Sequence, residues 1–423
     1  MPTITPEAAD EKVSRSAWGL LLFLTALNVL NFVDRMLIAS LGPLLIKDLG
    51  LNRAQIGLLA GFGFVFFYTF VGLFLGVAAD RMKRFPLIGA GVALWSAMTA
   101  LSGMARSFIG LAIPRIFVGI GEATLTPASL SMLGDAFPPR RLGFAIGVYY
   151  AGIPLGLAIA LISSSYIAPL YGWRVSFFAL GLIGLVATAL LLVLREPQRK
   201  KSAELAAAGP RPPVRQLIRD VLHALVARPA LSLALAGGSL LCYGSGAALH
   251  CVTWLVEERG FTYADAAFRA GLVAVFAGFI GNMAGGAFGD WCAKRFPAGR
   301  LWSLVIMTVA LTIPAWAFYS VKPGTPVFYL CWFVTSAGTT AWFGPLFSAF
   351  AELSPVHARS TVAAFALLVL NLLGVGPGPL ITGMIGDSRT LTYGLLISLV
   401  VTVLAVVPFA LAARSESARV RTA

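Results

Sequence analysis

Long apolar runs alternate with short polar segments along almost the whole chain. Several of these runs contain no charged side chain, namely 54–79, 85–105, 142–173, 175–194, 229–256 and 323–351. A helix needs about 20 predominantly apolar residues to cross the hydrocarbon core of a bilayer. The pattern therefore predicts a membrane protein whose helices cross the bilayer many times.

Charged residues and clusters of proline and glycine divide the apolar sequence into twelve predicted spans. The first six are expected near 17–46, 54–79, 86–105, 107–134, 142–168 and 173–194. The other six are expected near 229–256, 263–289, 301–320, 325–351, 360–386 and 390–413. We therefore expect an all-α membrane protein with an N-terminal six-helix bundle in residues 1–194 and a C-terminal six-helix bundle in residues 229–423.

Residues 195–228, between the two predicted bundles, are basic and rich in proline, with Pro210, Pro212 and Pro213 close together. Such a composition is typical of an extended linker, and we expect this one to be cytosolic. Its second part, Val214–Val226, has the pattern of an amphipathic helix that lies on the anionic inner leaflet.

The Lys and Arg residues outside the spans are distributed unevenly. If both termini are on one side, that side carries 22 Lys and Arg residues and the other side carries eight. Cytoplasmic loops hold the excess of these residues, so both termini are predicted to be cytoplasmic.

The first 16 residues lack the apolar core of a signal peptide. Short loops and frequent Ala, Gly and Arg point to the inner (cell) membrane of a bacterium.

Composition narrows the possible functions. The chain is 58% hydrophobic and 12% charged, against about 25% charged residues in soluble domains. The net charge of +14 does not indicate nucleic-acid binding, because the basic residues lie between apolar segments. The four cysteines and three histidines follow no metal-site spacing, and no phosphate-binding loop occurs. We expect no enzymatic activity, no metal and no cofactor.

A short motif occurs in both halves of the chain. Gly76 and Asp80 end the second predicted span and are followed by Arg81 and Arg84, while Asp290 ends the eighth span in a similar context. Such a repeat implies two pseudo-symmetric bundles. These five residues are the candidates for a cytosolic gate that breaks and re-forms.

The first copy of the motif resembles the G-x-x-x-D-R-x-x-R loop of the major facilitator superfamily. Lys83 departs from the usual glycine of that loop, and Trp291 replaces the arginine in the second copy. The resemblance implies two six-helix bundles around a central site that opens alternately to either side of the membrane.

Further motifs resemble the spinster-like branch of that superfamily. They are Asn31-Phe-Val-Asp34-Arg35, Leu94-Trp95-Ser96, Arg115-Ile-Phe-Val-Gly-Ile-Gly-Glu122 and Gly152-Ile-Pro154-Leu-Gly156. Members of this branch include animal exporters of sphingosine phosphate and lysophospholipids. The resemblance implies a transporter that works by alternating access.

Four charged side chains fall well inside the predicted spans: Asp34, Arg35, Arg115 and Glu122. A charge near the middle of a membrane costs at least about 2.5–3.5 kcal/mol, so such residues are expected to pair or to face a watery cavity. Arg115 and Glu122 share a helix face but lie about 10.5 Å apart along the axis. We expect Asp34 to neutralise Arg115, and Glu122, which has less compensation, to exchange the coupling proton.

The adjacent Arg35 points about 100° away from Asp34 on the same helix. We expect it to face the cavity, where it can contact an anionic substrate, or to reach an interface. Arg115 is a second candidate for substrate contact, since its fork of donors can bind a phosphate or carboxylate at two points. The alternative for all four residues is a purely structural set of ion pairs between helices.

The C-terminal spans carry almost no charge and offer polar and aromatic side chains instead. The candidates for the cavity wall are Asn31, Tyr149, Tyr243, His250, Trp254, Thr339, Trp342, Phe343 and Asn371. A charged half and an apolar half suit an amphipathic anion, such as a lysophospholipid or a sphingosine-phosphate-like lipid. We expect transport of this substrate to be coupled to protons. We also expect the protein to be a monomer in contact with membrane lipids. A water-soluble organic anion or a drug is the alternative substrate.

Overall fold

The computed structural model describes residues 13–193, 214–355 and 359–422, which are almost entirely helical. A backbone within lipid must satisfy its hydrogen bonds inside each segment, and the α-helix does so. We number the membrane-crossing units as spans 1–12. Spans 1–6 contain the helices Arg15–Ser40 with Gly42–Leu49, Arg53–Gly57 with Gly63–Arg81, Arg84–Ser102, Phe108–Glu122 with Leu125–Ala136, Pro139–Tyr150 with Gly152–Tyr171, and Trp173–Val193.

The second half repeats this organisation. Spans 7–12 contain the helices Pro229–Ala247 with Cys251–Arg259, Tyr263–Arg295, Gly299–Ser320, Pro326–Ala341 with Phe343–Leu353, Arg359–Val369 with Pro377–Ser388, and Leu391–Leu404 with Val406–Thr422. We call the end at which span 1 begins and span 12 finishes the terminal end, and the other end the far end.

Eleven helical segments of the described chain are long and apolar enough to cross a membrane. The tenth span is the exception, although its helices Pro326–Ala341 and Phe343–Leu353 together have sufficient length. Its middle is less apolar because Thr335, Ser336, Thr339 and Thr340 follow one another closely. The predicted all-α fold with two six-helix bundles is therefore confirmed.

The helix predicted in the linker is present and spans Val214–Ala227. Val221 and Ala224, on its apolar side, are 3% exposed and pack into the core of the C-terminal half. These two residues therefore attach the helix to the C-terminal bundle, whereas the prediction placed its apolar side on the membrane leaflet. The proline-rich stretch that was predicted to be extended lies outside the described residues.

The two halves pack closely at the far end, where spans 2 and 11 meet. Each of these spans contains a π-helical turn, Leu58–Phe62 in span 2 and Leu370–Val375 in span 11. A β-carbon at Gly57 would overlap the carbonyl oxygen of Pro379, and one at Gly61 would lie 2.9 Å from the carbonyl oxygen of Gly376. Glycine at both positions therefore lets the two backbones touch.

Polar contacts reinforce the same end. Arg53, at the start of span 2, donates from Nε to Glu257 of span 7 at 2.8 Å and from Nη1 to the carbonyl oxygen of Gly386 at 3.0 Å. The Asp387 carboxylate accepts the backbone N–H groups of Arg53 and Ala54, both at 2.9 Å. Between the described residues of the two halves, the hydrogen bonds and ion pairs lie at this far end.

Replacing Gly57 with alanine is expected to loosen the far end. Overpacking of a tight contact costs about 1–3 kcal/mol, which corresponds to about 5- to 150-fold in an equilibrium constant. Hydrogen–deuterium exchange of residues 42–53 and 383–391 should therefore increase. Gly72→Ala in the same span is the matched control, because its β-carbon would lie 3.6 Å from the nearest atom. Equal exchange in the two variants would contradict the close approach.

Candidate functional site

Asp34 of span 1 and Arg115 of span 4 form a buried ion pair. Arg115 Nη1 donates to Asp34 Oδ1 at 2.6 Å, and Nη2 donates to the backbone carbonyl oxygens of Asp34 and Arg35, both at 3.2 Å. Thr99 of span 3 donates its hydroxyl to Oδ2 of Asp34. The side chains of Asp34 and Arg115 are 1% and 3% exposed. The predicted pairing between spans 1 and 4 is thus confirmed.

Glu122 has a cation partner of its own. Arg35 Nε donates to Glu122 Oε2 at 2.8 Å, and the Glu122 side chain is fully buried while that of Arg35 is 17% exposed. Glu122 therefore has less compensation than Asp34, as expected, because one of its oxygens lacks a partner among the described residues. The partner itself was not expected, since Arg35 was predicted to face the cavity or an interface and instead pairs with Glu122. A helical side chain leans toward the N-terminus of its helix. Arg35 therefore extends in the direction of the terminal end, and Glu122 lies on that side of Arg115 in span 4.

Three aromatic rings surround the guanidinium group of Arg35. Its Cζ lies 4.8 Å from the ring centroid of Phe32, 5.1 Å from that of Phe64 and 4.0 Å from that of Tyr68. Rings attract cations through their negative faces, and the attraction is stronger where water is excluded. Sequence reasoning missed these rings, although the four-residue spacing of Phe64 and Tyr68 places them on one face of span 2.

The two ion pairs leave specific atoms without a partner. Among the described residues, Glu122 Oε1 and Arg115 Nε are buried with no hydrogen-bond partner. A free carboxylate oxygen beside a single cation contact is a place where a proton can bind. Asp34 differs, because both of its carboxylate oxygens accept hydrogen bonds. Glu122 is therefore the carboxylate of the cluster that is better placed to exchange a proton.

A cavity of about 260 Å³ lies mainly within the C-terminal half. Met36 and Ser40 of span 1 and Leu157 and Leu161 of span 5 form one wall, and spans 7, 8, 9, 10 and 12 form the rest. No charged residue is among the residues that line it. The cavity thus joins the two halves but takes most of its surface from the uncharged one.

The hydroxyl groups around this cavity are largely turned toward their own helices. The Thr and Ser hydroxyls that donate to backbone carbonyl oxygens three or four residues earlier are those of Thr308, Thr312, Thr339, Thr340, Ser398 and Thr402. Such bonding leaves methyl groups and aliphatic surface toward the cavity. The buried hydroxyl of Thr335 has no hydrogen-bond partner among the described residues. The wall of the cavity is therefore mostly apolar and has few free polar groups.

The predicted cavity residues separate into several groups. Thr339 and Trp342 line the cavity. Trp254 does not, because its ring packs against Phe318 and Tyr319 and its Nε1 donates to Thr392.

Tyr149 is also fully buried, in the N-terminal core, and its hydroxyl lies 3.1 Å from that of Thr126. His250 Nε2 lies 2.8 Å from the Pro379 carbonyl oxygen at the packed far end. For Tyr149, Trp254 and His250 the prediction of a cavity position is wrong, because neighbouring helices cover these side chains.

The four remaining candidates are also absent from the residues that line this cavity. Asn31 is 2% exposed, and its Nδ2 has no partner among the described residues. Tyr243 is 7% exposed, and Asn371 lies in the π-helical turn of span 11. Phe343 is 40% exposed and stacks on Trp342 with ring centroids 4.1 Å apart.

The predicted gate residues at the terminal end are only partly visible. Arg84 is buried and pairs with Asp135 of span 4 at 2.5 Å, within its own half. Asp290 pairs with Arg300 at 2.9 Å, also within its own half. The side chains of Gly76, Asp80 and Arg81 lie outside the described residues. The gate therefore stays a prediction, and the described partners of Arg84 and Asp290 do not bridge the halves.

Comparison with known proteins identifies relatives over most of the chain. Residues 24–379 match the family description Major Facilitator Superfamily. An MFS-type efflux pump of Mycolicibacterium smegmatis is 29% identical over 388 residues, which cover 92% of this chain and 88% of the pump. Protein spinster of Drosophila melanogaster is 26% identical over 400 residues, which cover 92% of this chain and 66% of that protein.

A solved structure also has the same fold. The bacterial homolog of the human lysosomal transporter spinster, in an inward-facing and unoccupied conformation, superposes with a TM-score of 0.82 at 24% identity. The alignment covers 96% of this chain and 98% of that structure. At this identity the likeness supports the fold.

Replacing Arg115 with lysine is expected to destabilise the protein despite the retained charge. An ammonium group cannot donate to the Asp34 carboxylate and to two carbonyl oxygens in the same fork. Unsatisfied buried acceptors cost about 1–3 kcal/mol. Thermal unfolding in detergent should therefore occur several degrees lower. In the control Arg174→Lys, at an exposed pair with Asp48, the expected loss is below about 1 kcal/mol. Equal shifts in both variants would contradict the buried fork.

Proposed function

The chain belongs to the Major Facilitator Superfamily, and we propose that it is a proton-coupled secondary transporter of an amphipathic anion. The observation that carries the proposal is the combination of a buried charge cluster in one half with an apolar cavity in the other. Each half then handles one part of the substrate: the cluster handles the ionic head and the cavity the apolar body.

Arg35 is the group of the cluster best placed to meet an anion. Its side chain is 17% exposed, whereas those of Asp34, Arg115 and Glu122 are at most 3% exposed. Arg35 follows immediately in sequence after Asp34 and precedes Met36, which lines the cavity. An anionic head that approaches Arg35 competes with Glu122 for the guanidinium group. Such competition links substrate binding to the charge state of Glu122.

The apolar cavity supports an aliphatic body on the substrate. A carrier of a small water-soluble acid needs polar groups aimed at its hydroxyl groups, because unpaired buried polar groups are costly. The hydroxyls of this cavity wall instead bond mostly to their own helices. This observation favours a lysophospholipid-like substrate over a soluble organic anion.

We also propose that the terminal end faces the cytoplasm of a bacterial inner membrane. The excess of Lys and Arg in the loops on that side supports this orientation. With that orientation, the packed far end closes the outer side of the membrane. The transport cycle then requires breaking the contacts of Arg53 at the far end and forming new ones at the terminal end.

Export of a drug is the second candidate function. The similarity to the mycobacterial efflux pump favours it, and an apolar cavity also suits many drugs. The two candidates differ in the headgroup: a lipid phosphate requires Arg35, whereas a cationic or neutral drug does not.

Replacing Glu122 with glutamine is expected to abolish transport driven by a pH gradient, because glutamine cannot exchange a proton. The assay measures movement of a labelled lysophospholipid in reconstituted vesicles under an imposed gradient. The control Glu416→Gln, in the last helix, should transport like the unmodified protein. Retained gradient-driven movement in Glu122→Gln would refute the coupling role. If the unmodified protein moves no lysophospholipid, the lipid assignment fails, and glucuronate and a drug dye should be tried instead.

Filling the cavity tests the apolar body of the substrate. Ala274 of span 8 lines the cavity, and Ala274→Phe should occupy space that an acyl chain needs. Binding of lysophospholipid should then weaken about tenfold or more, since burying an aliphatic chain is worth about 0.8 kcal/mol per methylene group. Ala284→Phe, at an exposed position of the same helix, is the control. Equal binding by the two variants, measured as lipid-induced thermal stabilisation, would exclude this cavity as the acyl site.

A further inference from the structure

One ring contacts both arginines of the charge cluster. The ring centroid of Phe64 lies 5.1 Å from Cζ of Arg35 and 5.0 Å from Cζ of Arg115. Phe32 and Tyr68 lie over Arg35, and among the described residues Phe64 is the ring that also lies over Arg115. Phe64 is 3% exposed, so water does not screen these two contacts.

The position of the ring follows from a close approach between spans 2 and 4. A β-carbon on Gly119 would lie 3.1 Å from the Phe64 carbonyl oxygen and 3.4 Å from its ring atom Cδ2. Gly119 lies between Arg115 and Glu122 in sequence. The absence of a side chain there lets span 2 place Phe64 at the level between the two ion pairs.

The two arginines are held with different strength. Arg115 donates to one carboxylate oxygen and two backbone carbonyl oxygens. Arg35 donates to Glu122, has a side-chain hydrogen bond with Tyr68 and otherwise rests against rings. When Glu122 loses its negative charge, Arg35 therefore loses its main attraction while Arg115 keeps three. Tyr68 still holds Arg35 in that state, and among the described rings Phe64 is the one that links Arg35 to Arg115.

We propose that Phe64 is a positioning residue that couples the two ion pairs, so that a change of charge at Glu122 alters the pair formed by Asp34 and Arg115. The proposal rests on the proposed function, because it requires Glu122 to exchange a proton. Without the ring, Arg35 can move toward the cavity on its own. The change at Glu122 then stays local and does not reach the contact between spans 1 and 4.

The charged and titratable groups around Phe64 come from several spans. Asp34 and Arg35 belong to span 1, Tyr68 to span 2, Arg115 and Glu122 to span 4, and Tyr149 and Tyr150 to span 5. Of these groups, the two carboxylates are the ones that gain a proton when the pH falls, because tyrosine and arginine titrate only at about pH 10 or above. A pH response that Glu122→Gln removes is therefore assigned to Glu122.

The test compares hydrogen–deuterium exchange at the terminal end across about pH 5.5–8, corrected for intrinsic exchange rates. Residues 139–150 of span 5 and 290–300 after span 8 report whether that end is open. The full-length protein is placed in nanodiscs, with no substrate. The variants are Phe64→Leu, which removes the ring face, Phe64→Tyr, which keeps it, and Glu122→Gln. Phe66→Leu, at a 39% exposed ring of the same span, is the matched control.

We expect the unmodified protein, Phe64→Tyr and Phe66→Leu to change their exchange with pH to the same extent. Phe64→Leu should reduce that change at least about threefold, the effect of losing one cation–ring contact. A thermal unfolding curve for each variant separates this effect from general loss of stability. A purely structural Phe64 would lower the unfolding temperature of Phe64→Leu and leave the pH response intact, which would overturn the inference.

Failure of the proposed proton exchange at Glu122 would give a different result from failure of the coupling role of Phe64. If the unmodified protein shows no pH response that Glu122→Gln removes, proton exchange at Glu122 is refuted and the coupling role of Phe64 is refuted with it. If that response exists and Phe64→Leu retains it in full, only the coupling role is overturned.

Discussion

The burial of two arginines and two carboxylates inside a membrane bundle is the constraint on which the N-terminal half depends. Each charge must have a partner because water is absent and desolvation is costly. Asp34 pairs with Arg115 and Glu122 with Arg35, both between spans 1 and 4. These contacts fix how spans 1 and 4 cross, and span 3 joins them through Thr99. The two pairs differ in their supporting bonds, so one is rigid and the other can rearrange.

The C-terminal half has a complementary construction. Its core and cavity are apolar, and the hydroxyls of the cavity wall bond mostly within their own helices. The halves meet at the far end through glycines that allow backbone contact and through Arg53, which reaches carboxylates of spans 7 and 11. A charged half, an apolar half and one tight contact between them are elements that suit a rocking carrier.

The spans could be predicted well from the sequence because membrane helices are recognised by their length and hydropathy. The sequence also predicted the contact of Asp34 with Arg115, because charges buried in a membrane are costly unless they pair with opposite charges. It did not predict that Arg35 reaches Glu122. The position of Arg35 on its own helix gives the direction of its side chain, but the contact also depends on how span 4 crosses span 1. The rings around Arg35 and the contacts of Arg53 depend on packing between helices distant in sequence. Trp254 and His250 were misplaced for the same reason, since covered and cavity-facing aromatic residues look alike in one sequence.

The central claim is that substrate and proton act on the same pair of charges, Arg35 and Glu122. The direct test is to add a lysophospholipid to the purified protein in weakly buffered solution and to measure the pH change. If the anionic head displaces Glu122 from Arg35, the freed carboxylate takes up about one proton per protein molecule near neutral pH. Glu122→Gln should bind the lipid with no proton uptake. Lipid binding without any pH change in the unmodified protein would contradict the account.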